Sequence, residues 1–345
     1  MKMRSILFVA LCALCFACGN MRTFQIETYE PADVTYPAEV KKLLMVNNAV
    51  PQPDSVGYHY TRRGELQDTC RAEADSALVA FCRSLGMAIV DASYFEDVLL
   101  YHDAVRTDKN YLTDKKLTPE QVRTLCDENG TEAVLSLDRL TFSMERSVES
   151  IPSMGAEYGV VKVRASGLLR TYVPAKAQPL GTILLADSVI WEEMAANIFQ
   201  LNELLPQPDD ALTIAAAYIG AKMSPHFVPH WSEASRWFYT SPGARWKEAS
   251  AFAAAGKWKE AEERWQAIAQ NTTRKSDLAE VYTNLALACE MQNRFPEAYD
   301  WARKAQALFD EEDAEGKDAL LLRAYVQVLG DRINADKKLN IQIGE

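Results

Sequence analysis

Hydrophobic and polar positions change their period twice along this chain. A polar stretch over 18–38, punctuated by Pro31 and Pro37, reads as a tether. Lys41 to Val50 (KKLLMVNNAV) is then a short apolar run bounded by Lys and Pro, which predicts a buried strand. Gly64 to Leu85 places Leu66, Cys70, Ala74, Ala77, Leu78, Phe81 and Leu85 at helical spacing, with Gly86 as the helix-ending residue. Met87 to Asp91 (MAIVD) predicts the next strand. Thr118-Pro119-Glu120-Gln121 offers a cap, a proline at the first helical position and a glutamine at the third, so a helix opens there and closes at Asn129-Gly130. Thr131 to Phe142 alternates as a half-exposed strand. Residues 147–158 read as a loop. Gly159 to Val173 and Gly181 to Trp191 are longer period-two runs with a turn at 174–179 between them. The order β-α-β-α-β-β-β over 39–200 predicts an α+β domain with a mixed sheet and helices on one face.

From Asp209 onward the period is helical. Asp209 to Met223 is Ala-rich and amphipathic, and residues 224–231 (SPHFVPHW) break it with two prolines, so 205–242 reads as a connecting helical segment. A repeat follows. Trp258-Lys-Glu-Ala261 matches Phe295-Pro-Glu-Ala298, Ala249 matches Ala286, and Gly256 matches Asn293, every pair 37 residues apart. That spacing fits one helix-turn-helix unit of about 34 residues with a slightly longer linker at 271–278. Ala244–Gln270 and Ala279–Leu308 resemble tetratricopeptide repeats. The resemblance implies an all-α domain over 243–332, in which Ala249, Ala261, Ala286 and Ala298 let paired helices approach while Trp258 and Phe295 wedge between hairpins. A last helix near 313–329 would cap the stack and 333–345 would be a tail.

The first residues are different in kind. Lys2 and Arg4 precede an apolar run, Ser5 to Ala17, too short to cross a hydrocarbon core of about 30 Å. It stops at Leu14-Cys15-Phe16-Ala17-Cys18, which resembles a lipobox. The resemblance implies a signal peptide over 1–17 and acyl chains on Cys18. Cys15 and Phe16 depart from the usual pattern, which prefers Leu and a small residue there. An uncleaved anchor and an ordinary secretory signal are the other readings of this leader.

At 345 residues, 48% hydrophobic and 25% charged, the chain has the length for two globular domains. Its net charge of -11 falls to -13 with Lys2 and Arg4 removed, which disfavours nucleic acid as a partner. Of seven cysteines, Cys70, Cys82, Cys126 and Cys289 lie beyond the leader and Cys18, without CxxC spacing, and read as buried small hydrophobes, with one long-range disulfide in an oxidising periplasm as the alternative. No phosphate-loop, dinucleotide, GxSxG or HExxH motif is present. His226 and His230 have the i, i+4 spacing of a metal pair, but Pro225 and Pro229 preclude a regular helix there. Glu192 and Glu193 are adjacent on a strand and so point to opposite faces. Arg62-Arg63 and Lys115-Lys116 read as solvated surface. No catalytic residue, cofactor or metal is therefore expected. Dense C-terminal aromatics, from Trp231 to Trp301, read mainly as packing residues, with a concave peptide-binding face as the alternative.

Pro31-Ala32, residues 36–48 (YPAEVKKLLMVNN), residues 236–239 (RWFY) and Trp258-Lys-Glu-Ala261 together resemble a family of uncharacterised bacterial lipoproteins, a domain of unknown function, across nearly the whole chain. The order of elements over 40–192 more loosely resembles the periplasmic domains of curli-secretion and penicillin-binding-protein-activator lipoproteins. These resemblances imply attachment to a membrane of the cell envelope, facing the periplasm, the outer membrane ahead of the inner. The function expected is a non-enzymatic scaffold that binds a protein or peptide partner through its repeats. The alternative is a component of an oligomeric envelope assembly formed through the α/β domain.

Overall fold

The structure, a computed structural model, describes residues 20–67 and 70–344. The leader and Cys18 lie outside the described residues. In chain order the strands and helices are β1 (Met21–Glu30), β2 (Lys42–Asn47), β3 (Tyr58–Arg62), β4 (Glu65–Leu66), α1 (Asp75–Asp91), β5 (Asp97–Leu100), α2 (Pro119–Asn129), β6 (Ala133–Ile151), β7 (Ala156–Tyr172), β8 (Gly181–Ala195), α3 (Ile198–Leu204), α4 (Pro208–Lys222), β9 (His230–Tyr239), α5 (Ala244–Ala254), α6 (Trp258–Gln270), α7 (Lys275–Glu290), α8 (Phe295–Asp313) and α9 (Lys317–Ile343). They divide into an α/β unit, residues 31–230 with 341–344, and a helical unit, residues 20–30 with 231–340. Among the described residues no helix is long and apolar enough to cross a membrane.

The α/β unit holds a seven-stranded mixed sheet. Its spine is the 19-residue β6. One edge of β6 pairs in parallel with β2 through its first half and with β3 through its second. The other edge pairs antiparallel with β7, which pairs antiparallel with β8. Beyond β2 lies β5, also parallel. The run Leu43-Leu44-Met45-Val46 is buried on alternate sides, so both faces of the sheet must be covered there. Helices α1 and α4 pack on the face bearing Leu43 and Met45, and α2 packs on the face bearing Leu44 and Val46. The expectation of helices on one face is thus corrected. The α1–α4 crossing is tight: a Cβ on Gly220 would stand 2.5 Å from the Phe81 carbonyl oxygen.

Several expected boundaries move, each for a local reason. Gly64 does not open a helix. Arg63 and Gly64 both take positive φ, 52° and 78°, and form the two-residue turn between β3 and β4. The helix begins instead at Asp75 and continues through Gly86 and the MAIVD run. Leu78, Cys82, Leu85 and Ile89 form one unbroken buried stripe, while Met87 and Val90 face solvent. The strand assigned to 87–91 is supplied by 97–100. The 147–158 loop shrinks to residues 152–155, because inward Arg146 and Val148 keep the period-two pattern going. Strand β9 falls in the segment read as helical, and β1 in the segment read as a tether. The 333–345 tail is helical to Ile343, and Gln342 bonds both backbone groups of Ala32 at 2.9 Å. Helix α2 keeps its expected bounds: Thr118 and Gln121 form the capping box, and Gly130 is left-handed at φ 63°.

Candidate functional site

The helical unit carries five helices and a two-stranded ribbon, β1 with β9. Asn20 O accepts from Thr240 N, the Gln25 and Ser235 side chains bond, Thr28 Oγ1 donates to Ser232 O, and the Tyr29 and Trp231 rings stand 5.0 Å apart. Residue numbers fall on β9 as they rise on β1, the register of antiparallel pairing. One ribbon face packs on helices: Phe24 stacks on Trp258 at 5.7 Å, and Phe238 meets buried Trp265 at 6.1 Å. Buried Asn284 acts as a strand partner, accepting from Tyr239 N at 2.7 Å and donating to Tyr239 O at 2.8 Å.

The positions at 37-residue spacing occupy matching places. Ala249, Ala261, Ala286 and Ala298 are all fully buried, and Phe295 is nearly so. Gly256 and Asn293 both take the left-handed conformation, at φ 71° and 57°. The turn bonds coincide as well. Lys257 N donates to Phe252 O and Arg294 N to Cys289 O, both at 2.9 Å, while Gly256 N donates to Ala253 O and Asn293 N to Glu290 O. Half-buried Trp258 lies against the ribbon through Phe24.

A cleft of about 400 Å³ opens in this unit between β1, Trp231, the turn from Glu290 to Phe295, and α9 from Arg332 to Leu339. Its floor is charged. Glu290, 3% exposed, accepts from Arg236 Nη2 at 2.8 Å, from Arg236 Nε at 2.9 Å and from the Tyr325 hydroxyl at 2.6 Å. Arg332 lies over the Phe295 ring and reaches Glu30 at 3.4 Å and Glu290 at 3.6 Å. Glu27 and Asp336 line the cleft without an ionic or hydrogen-bonding partner among the described residues. The sequence reading missed this network because its members lie on separate elements. The segment that holds Arg236 reads as helical in sequence, so its buried place on β9 left no signal there.

Elsewhere in this unit Glu280 is held up to about 7 by burial, reinforced by the nearby charges of Asp277 and Asp318. A carboxyl that keeps its proton better folded than unfolded favours the fold most below pH 4.5, and that advantage fades as pH rises through 7. Glu280→Gln should therefore match the parent near pH 4 and exceed it at pH 8. Discounted for partial exposure, the gain is about 1–2 kcal/mol. Urea unfolding at the two pH values checks this, and an equal difference at both would refute it.

In the α/β unit, a polar cluster fixes the loop between β5 and α2. Asp138 is fully buried at the β-bulge between Leu137 and Arg139. It accepts from Ser136 Oγ at 2.6 Å, Arg170 Nη1 at 2.6 Å and Asn48 Nδ2 at 2.9 Å, and Arg170 also pairs with Asp114 of the loop. Burial pushes the Asp138 carboxyl up, while the bond from Arg170 holds Asp114 below the usual carboxylate range. Alternation alone hid Asp138, since the bulge that turns it inward has no mark in the sequence. Arg63 lies in the β3–β4 turn. His226 sits in a short 3₁₀ turn and meets Asp33 at 2.5 Å, whereas His230 begins β9. Glu192 and Glu193 are consecutive along β8 opposite Val160 and Gly159. Among the described residues no His, Cys, Asp and Glu group is placed to hold a metal ion.

No curated protein matches this chain. Similar solved structures include the PelC dodecamer from Paraburkholderia phytofirmans, with 10% identity over 61% of this chain and 100% of that one at a TM-score of 0.25. Another is protein XCC0632 from Xanthomonas campestris, with 11% identity over 58% and 92% at a TM-score of 0.24. Two family models match, each described as a domain of unknown function: DUF8603 over residues 40–239 and DUF6340 over residues 247–331. The first covers more than half of the chain, which therefore belongs to the DUF8603 family.

Proposed function

We propose that this chain is a membrane-anchored lipoprotein of the bacterial cell envelope, lipidated at Cys18, that recruits a protein partner through tetratricopeptide-like helices and performs no catalysis itself. The observation that carries the binding role is the pair of helical hairpins with matching buried alanines and matching turn hydrogen bonds 37 residues apart. Stacked hairpins of this kind present extended surfaces to peptides. The leader supports the anchor. Three residues from Cys18 to Met21 span at most about 11 Å, so lipid on Cys18 would hold the helical unit beside the bilayer. A second reading, assembly through the α/β unit, is favoured by edge strand β8, where Leu184 is 74% exposed and Ile190 and Met194 are also exposed.

The anchor is tested by intact mass of the protein purified from membranes, together with fractionation of Cys18→Ser. The expected result is a chain that starts at Cys18 and carries acyl mass, with the variant lost from the lipidated pool. A mature chain that retains the leader, or starts elsewhere without lipid, would refute it.

A further inference from the structure

The open edge of the ribbon makes the proposed binding role more specific. β1 pairs with β9 alone among the described residues, so no strand pairs its other edge, and its residues 26–30 line the cleft. A free edge beside a groove is the geometry in which an extended peptide adds as another strand. The cleft volume falls within the range of roughly 300–1,000 Å³ typical of ligand sites.

Charge selects the occupant. The cleft is lined by four carboxylates, Glu27, Glu30, Glu290 and Asp336, and by one guanidinium, Arg332. Arg236 neutralises Glu290 from beneath, and Arg332 answers Glu30. Glu27 and Asp336 are left uncompensated. The contacts of Gln25 with Ser235, Thr28 with Ser232 and Tyr29 with Trp231 set Glu27 opposite exposed Glu233, a like-charge pair that is unfavourable without a third party. Beside them Trp231, 68% exposed, stands against Tyr29 and offers a ring face to a cation. Arg332 over the Phe295 ring shows that the cleft already seats one guanidinium.

We propose that an extended, basic segment of a partner protein adds to the free edge of β1, its Lys or Arg side chains taken by Glu27 and Asp336 and flanked by Trp231. This rests on the helical unit being a protein-binding module. The test uses the full mature chain and two fluorescent peptides, Ser-Lys-Val-Lys-Val-Lys-Ser and its glutamate counterpart, read by anisotropy in low and high salt. The lysine peptide should bind at least about ten-fold tighter than the glutamate one and weaken with salt. The double variant Glu27→Lys, Asp336→Lys, whose fold is checked by circular dichroism, should reverse that preference. N-methylation of alternate peptide amides should weaken binding about ten-fold, which adsorption by charge alone would not do. Equal binding to the parent and the charge-reversed chain, or full retention by the N-methylated peptide, overturns the proposal. Failure of the lysine peptide while a partner still crosslinks to the helical unit in cells would sink this inference and leave the wider binding role standing.

Discussion

Truncating Glu290 to alanine is expected to destabilise the helical unit by about 3–5 kcal/mol, the range for breaking a buried ion pair from one side. The carboxylate is 3% exposed and serves Arg236 and Tyr325 at once. Its loss leaves the Arg236 guanidinium, in a residue only 7% exposed, without its counter-charge. Glu290→Gln keeps the volume and one acceptor oxygen and should lose less. Replacing Arg236 and Glu290 together with apolar residues of similar size should recover part of the loss, because the larger penalty is the orphaned charge rather than the missing attraction. Denaturant unfolding followed by tryptophan fluorescence reads this directly, since six of the seven tryptophans lie in the helical unit. A loss below about 1 kcal/mol for the alanine variant would show that the network does not hold the unit together.

A change of similar size is expected at Asp138. Asp138→Ala strips Arg170, Asn48 and Ser136 of a shared acceptor that is fully buried, and should destabilise the α/β unit by about 3–5 kcal/mol. The effect should also be local. Arg170 ties Asp114 to the sheet, and Asn48 Nδ2 donates to Lys115 O at 2.7 Å. Residues 101–118 should therefore exchange amide hydrogens faster in the variant than the rest of the unit. Asp138→Asn retains shape and acceptor and should fall between. Exchange that rises uniformly across the unit, or does not rise at all, would contradict the view that this cluster pins the loop.

How far the sequence could be read follows from how local each determinant is. Helix α2 was legible to the residue because its cap, its Pro and its terminal Gly are all within the segment. The 37-residue spacing was legible because Gly256 and Asn293 answer the same backbone need in two turns. The run MAIVD was misread because four apolar residues before an Asp fit either period, and only Ile89 completing the Leu78–Cys82–Leu85 stripe decides for helix. Strands β1 and β9 were hidden for another reason: each is half polar, and each gains its pairing from the other end of the chain. The buried ion networks were least legible. Arg236 and Glu290 are 54 residues apart, and Asp138 and Arg170 meet only through strand pairing and a bulge. Side chains that find partners through tertiary structure leave little trace in local pattern.

The central claim, that the helical unit recruits a protein, is tested most directly by a photo-crosslinking residue placed in intact cells at Trp231, beside the cleft, and in parallel at Leu184 on the α/β edge strand. The expected result is an adduct of one discrete mass from position 231, with none or only diffuse products from 184. Discrete adducts from 184 alone, or a ladder of self-multiples from it with position 231 silent, would move the interaction to the α/β unit and contradict the account.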